Sequence, residues 1–263
     1  QLRGRVVVSA SVSEEHVEGG ALKSVIELVK PDYVVIGEST ELNLARGGRG
    51  RAEIQVTTLG QSAHSSSPQA GRCAVTDMIR VIQAVARQKL PSDKVLGPSS
   101  IVLTDIISEP YPGHSVIPYR CSVTFDQRLL THDTRTSVLD AIRNLPGLDD
   151  IQFEVQLSTQ EDVTCTGKTL TGEKFFPAWL FEETHPFVQA ANTGLIRAGF
   201  SPDIRAYRFC TNAAYSAGVL GIPTVGFGIG REEDAHIVDE SISIEELHKA
   251  VPGFEAIIQS VCS

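Results

Sequence analysis

The order of apolar runs predicts an α/β fold interrupted by an inserted α+β domain. Short, continuously apolar runs alternate with helix-period segments at both ends of the 263-residue chain. A glycine cluster, Gly47-Gly-Arg-Gly50, reads as a flexible joint where the style changes. The stretch beyond it reads strand, helix, strand, strand, helix, strand, which is the split βαβ, ferredoxin-like order: a four-stranded antiparallel sheet with two helices on one face. Residues 1–48 and 171–263 are therefore expected to form one α/β domain, and residues 49–170 an insertion.

Each element follows from local pattern. Arg5 to Ser11 is a compact β-branched run, Glu18 to Lys30 puts Leu22, Val25, Ile26 and Val29 on one helical face before Pro31 stops it, and Tyr33 to Ile36 is a short apolar strand. Fully apolar strands flanking a helix predict a parallel sheet covered on both faces. In the insertion, residues 51–59 alternate as a half-buried strand does. Helices are expected at 72–88 and 134–144, and strands at 99–108, 116–130 and 151–157. The α/β style then resumes with a helix from His185 to Ala198, a strand from Ile204 to Tyr207, a helix near Ala213 to Leu220 and a strand from Thr224 to Phe227. Ser243 and Glu246 form a capping-box pair that opens a last helix, which Pro252 should kink or interrupt.

Composition narrows the function. A net charge of -9 with no Lys/Arg run argues against nucleic acid and anionic membrane as partners and favours a small-molecule or peptide substrate. No apolar stretch approaches the roughly 20 residues of a spanning helix. The five cysteines are scattered, with no Cys-x-x-Cys pair, and read as reduced thiols of a cytoplasmic protein. The chain begins with Gln and runs straight into a strand-like segment, which reads as a fragment.

The chemistry-bearing residues follow apolar strands, where open α/β sheets place their ligands. Glu14 and Glu15 are adjacent carboxylates just past the first run, Glu38 sits in a Gly-Glu-Ser-Thr turn after the second, and His236 follows a glycine-rich loop after Thr224 to Phe227. Singly, each has a bland reading: a solvated helix start, a turn residue, an exposed imidazole. Together they suggest a hydrolytic metal site, because one carboxylate can hold a metal while its neighbour takes the proton of the attacking water. His64 could donate to a tetrahedral oxyanion or simply cap a loop. Arg128, inside an apolar strand, could hold a substrate carboxylate bidentately or pair with Asp126.

Taken in order, the motifs Ser13-Glu-Glu15, Ile36-Gly-Glu38-Ser-Thr40, Gly60-Gln-Ser-Ala-His64, Val116-Ile-Pro118 with Asp126-Gln-Arg128, Gly221-Ile-Pro223 and Ala235-His236 resemble those of a known family. This is the family of di-zinc amidohydrolases and exopeptidases that includes acetylornithine deacetylase, succinyl-diaminopimelate desuccinylase, aminoacylases and glutamate carboxypeptidases. Lys174 to Trp179 and Cys210-Thr-Asn212 are most similar to a branch described as selenium-metabolism hydrolases. The resemblance covers the whole chain. It implies a partial phosphorylase/hydrolase-like catalytic domain, an inserted dimerisation or lid domain, a homodimer formed through it, and two zinc ions per subunit in the full-length form, with cobalt or manganese as substitutes. Carried over residue by residue, it makes Glu14 the general base, Glu15 and Glu38 ligands of one zinc each, and His236 a ligand of the zinc opposite Glu15's. His64 would reach the partner subunit's site, and Arg128 and Asn212 would meet substrate.

Two departures qualify the match. The family carries a His-x-Asp motif upstream of the Glu-Glu pair, which supplies a ligand and the bridging carboxylate, and residues 1–13 hold none; Ser115 stands where Asn usually precedes Val-Ile-Pro. The expectation is an inactive fragment of an amide- or peptide-bond hydrolase acting on small N-acyl amino acids or short peptides. The alternatives are a non-catalytic relative that dimerises or binds through the insertion, and a one-zinc hydrolase.

Overall fold

The computed structural model describes residues 3–262. In chain order its elements are α1 (Gly20–Val29), β1 (Val34–Ile36), β2 (Leu44–Gly48), β3 (Gly50–Leu59), α2 (Ala74–Ala86), the short β4 (Ser92–Asp93) and β5 (Gly97–Pro98), β6 (Ser100–Glu109), β7 (Arg120–Leu129), α3 (Arg135–Arg143) and β8 (Phe153–Leu157). There follow the hairpin β9 (Thr159–Val163) and β10 (Thr169–Glu173), the short β11 (Phe175–Phe176) and β12 (Trp179–Leu180), α4 (Pro186–Arg197), β13 (Ile204–Tyr207), β14 (Thr224–Gly226) and α5 (Ile244–Val261). A π-helical stretch, Ala214–Val219, occupies the position expected for an ordinary helix.

The inserted sheet has the expected antiparallel order, with β3 between β8 and β7, and β6 on the outer edge. Alternation in β3 and β7 sends Ala52, Ile54, Val56, Cys121, Val123 and Phe125 to one face. There they pack on Met78, Val81 and Val85 of α2 and Val138 and Ile142 of α3. Full burial of such side chains is worth about 1.5–3 kcal/mol each, so this core alone gives the insertion a well-defined shape. Thr134 caps α3 through a reciprocal pair with Ser137. The expected strand from residue 116 begins only at Arg120. Pro118 cannot donate to a ladder, and His114 and Ser115 take positive φ, so this segment forms a loop.

The second sheet is mixed rather than parallel. β1 pairs with β14 and β2 with β13 in parallel, whereas β14 and β12 run antiparallel to β2. β2 was not expected at all, because its Arg46-Gly-Gly stretch reads as a joint. The glycines instead admit close neighbours. A Cβ on Gly48 would lie 2.8 Å from the Trp179 indole nitrogen, and one on Gly50 would lie 2.3 Å from the Phe176 carbonyl oxygen. α4 and α5 cover this sheet through Val188, Leu195, Phe227 and Ile257.

Two further expectations fail. Arg5 to Ser11 forms no strand: Val6, Val7 and Val8 are exposed, and no ladder partner lies beside them among the described residues. An apolar run becomes a buried strand only where neighbours pair its edges and cover its faces. α5 runs uninterrupted through Pro252, because the turn around it is packed down: Ala250, Gly253 and Ile257 are buried, and the Gly253 Cβ position is filled by the Phe227 ring. No helix among the described residues is long and apolar enough to cross a membrane.

Candidate active site

Three segments meet at one end of the mixed sheet. The first is the turn before α1. Ser13 has a positive φ, its carbonyl accepts from the Val17 amide at 3.0 Å, and the left-handed Gly19 donates its amide to Asn212 Oδ1 at 2.6 Å. Asn212 thereby fixes the loop that carries Glu14 and Glu15. The second segment is the exit of β1, where Glu38 follows Gly37. The third is the glycine-rich loop leaving β14 and running on to His236. The Thr40 hydroxyl joins the second and third by donating to the Gly228 carbonyl at 3.0 Å and accepting from the Gly228 amide at 2.9 Å. Glu246, which the capping-box reading turns back on Ser243, instead accepts from the Gly230 amide at 3.1 Å and ties α5 to this loop. Ser243 still accepts from the Glu246 amide.

This knitting brings His236 Nε2 to 3.4 Å from Glu15 Oε2, with both side chains largely exposed. The resemblance assigned these two to opposite zincs; here their side chains are in direct contact. Glu38 completes the group electrostatically. Burial raises its carboxyl pKa first, the charge of Glu15 raises it further, and His236 lowers it. Glu14 is pushed up to about 8, mainly by burial, then by Glu38, Glu18 and Glu15, against a hydrogen bond from the Asn212 backbone. Its Oε1 is buried and has no hydrogen-bond partner. Among the described residues, no three His, Cys, Asp or Glu side chains converge closely enough to hold a metal ion.

Arg128 and His64 lie elsewhere. Arg128 sits on β7 opposite Arg51 of β3, with Nε 3.1 Å from Asp126 Oδ1. It is thus held by the partner that the simpler reading named. His64 lies beyond the far end of β3, in a loop bridged to Val116. Its Nδ1 accepts the Ser66 amide at 3.2 Å, which leaves the proton of a neutral ring on Nε2. β3 has ten residues, so its ends are on the order of 33 Å apart. The Glu14 turn contacts the Arg51 end, which keeps His64 away from Glu14 of the same chain.

Sequence reading missed Glu18 and Arg51. Glu18 passes for a helix-start acid and Arg51 for an exposed strand residue. Their pairing spans the junction of the two sheets, and no local pattern signals it.

Residues 46–148 match the peptidase dimerisation domain of the M20 family. The Escherichia coli (strain K12) protein YgeY is 31% identical over 260 residues, covering 94% of this chain and 64% of YgeY. Acetylornithine deacetylase of Buchnera aphidicola is 26% identical over 246 residues, covering 89% of this chain and 59% of its own length. Among solved structures, aminopeptidase PepT from Bacillus cereus superposes with a TM-score of 0.72 at 19% identity, covering 96% of this chain and 63% of PepT. Human carnosine dipeptidase 1 gives 0.59 at 16%, covering 92% and 64%. The chain thus resembles M20 proteins in its dimerisation domain and in its overall fold. It spans less than two thirds of the length of these relatives.

Proposed function

We propose that the full-length protein is a zinc-dependent hydrolase of amide or peptide bonds in small N-acyl amino acids or short peptides. The observation that carries this reading is that three remote segments bring Glu14, Glu15, Glu38 and His236 to one end of the mixed sheet, within electrostatic reach of one another. The donors suit a divalent metal in type: two carboxylates and an imidazole, with the imidazole beside one carboxylate. They fall short of a closed set, and in this reading the remaining ligands come from parts of the full-length protein outside this chain, which alone would not turn over substrate. Glu15, Glu38 and His236 would hold the metal, which when bound polarises the scissile carbonyl and brings the pKa of water near 7.

Glu14 Oε1, buried and unpartnered, would take the proton of the attacking water and return it to the leaving amine. Arg128 would orient a substrate carboxylate, with Asp126 setting its fork, and Asn212 would hold the Glu14 turn. His64 would donate from Nε2 to the oxyanion of the partner subunit's site, since it lies too far from its own. The outer strand β6 supports a homodimer: among the described residues it pairs only with β7, and it leaves Val102, Leu103, Ile106 and Ile107 exposed. The division at residues 48/49 and 170/171 is part of the same proposal.

Hydrolysis of N-acyl amino acids and dipeptides by the zinc-loaded full-length protein tests the reading, with amine release expected. The lack of three converging donors among the described residues favours one other reading, a non-catalytic protein that dimerises or binds through the insertion. Less than one bound metal per full-length chain would select it.

A further inference from the structure

The junction between the two sheets holds a charge network centred on Arg51, a residue that the proposed chemistry does not use. The Arg51 guanidinium lies 2.8 Å from Glu18 Oε1, 2.7 Å from Asp126 Oδ2 and 3.4 Å from Glu53 Oε2. Lys174 Nζ reaches the same Glu53 oxygen at 3.2 Å, and Arg128 reaches the other Asp126 oxygen at 3.1 Å. Three carboxylates thus meet three cations, and the Glu18 side chain is only 5% exposed. Burial alone would lower the Arg51 pKa, but hydrogen bonds and charge from Glu18, then Asp126, raise it well above its usual value.

The network joins two segments that the chemistry must keep in register. Glu18 closes the turn that carries Glu14 and Glu15; Asp126 and Arg128 sit on β7 of the inserted sheet. Besides the fork of Arg51, that turn is tied by the Asn212 side chain to a loop of the mixed sheet and by Ser13 and His16 to Asp162 of β9, neither of which lies on β7. We propose that Arg51 is a positioning residue, a latch that locks the Glu14 turn to the strand carrying Arg128, so that the proton acceptor and the carboxylate clamp face one substrate at a fixed separation. A planar fork that meets carboxylates on either side suits this task, and an ammonium does not. The latch rests on geometry; its catalytic consequence rests on the hydrolase reading above.

The test uses the zinc-loaded full-length protein with Arg51→Met, Arg51→Lys, Glu18→Gln and the double variant Glu18→Gln/Arg51→Met. Amide hydrogen exchange at residues 13–19 is expected to rise at least tenfold in Arg51→Met, with α2 and α3 protected as before. The double variant should show no recovery of that protection and no further loss beyond Arg51→Met, because both changes remove the same tie. Arg51→Lys should rescue neither exchange nor turnover. In Arg51→Met, KM for a carboxylate-bearing substrate should rise and kcat fall, each severalfold, with metal content unchanged. Unchanged exchange at 13–19, or raised exchange with unaltered kinetics, would overturn the proposal. An inactive wild type would contradict the hydrolase reading alone, and the exchange measurement would still decide the latch.

Discussion

Two groups of three carboxylates, linked by the turn that carries Glu14, Glu15 and Glu18, behave in opposite ways. At the junction, Glu18, Glu53 and Asp126 are met by Arg51, Lys174 and Arg128. In the crevice, Glu14, Glu15 and Glu38 face a single imidazole, and burial with mutual repulsion holds the Glu14 and Glu38 carboxyls above their usual range. The balanced group is structural: charges taken from water are stable only when paired. The unbalanced group is arranged for something the chain itself does not supply, and a divalent cation has the sign and chemistry to supply it.

The sharpest way to break the comparison is to neutralise one member of the crevice. Glu14→Gln in the full-length protein should lower kcat on the order of 10²–10⁴-fold, the range of general acid–base catalysis, while metal content measured by elemental analysis stays the same. Loss of metal in that variant would make Glu14 a ligand instead of the base. His64→Ala should lower kcat about 10²–10³-fold, as removal of an oxyanion donor does. Mixed dimers of His64→Ala with Glu14→Gln should regain turnover, and hybrids as inactive as their parents would exclude supply of His64 from the partner.

Substitutions in the inserted domain away from the junction should instead cost stability and leave the chemistry of the crevice alone. Met78, fully buried under the inserted sheet, should lose about 2–5 kcal/mol on replacement by Ala, read from urea unfolding of the insertion. The smallest effect belongs to an exposed pair. Asp150 is drawn down from 3.8 to about 2, chiefly by its hydrogen bond from Arg80 and further by the charges of Arg80 and Arg72. A depressed carboxylate contributes stability that is present above its unfolded pKa and lost as pH falls through its folded value. The urea midpoint should therefore drop between about pH 4 and pH 2, and Arg80→Ala should flatten that drop; identical slopes would remove the pair from the acid response.

The insertion was legible because its signals are local. Alternation in β3 and β7 and helical periodicity in α2 and α3 set their faces without reference to anything distant. The mixed sheet was legible only where its strands are long in apolar residues, as in β1, β13 and β14. β2 hid because Gly47 and Gly48 signal looseness until Trp179 and Leu180 are seen filling the space beside them. Arg5 to Ser11 misled in the other direction, since β-branched residues favour a strand but cannot provide its neighbours. In the site, the acidic and imidazole side chains were legible by type and by position after strands. The Glu18–Arg51 pair was not, because a contact between a turn and a remote strand leaves no periodic trace. The place of His64 beyond the far end of β3, and hence its distance from Glu14, also emerged only from the fold.

Metal content measured alongside hydrolysis on the full-length protein tests the central claim most directly. Chelation should remove zinc and abolish amine release, and returning zinc should restore both in proportion. Hydrolysis that persists at less than one metal ion per chain, or a protein that takes up no metal at all, would contradict the account.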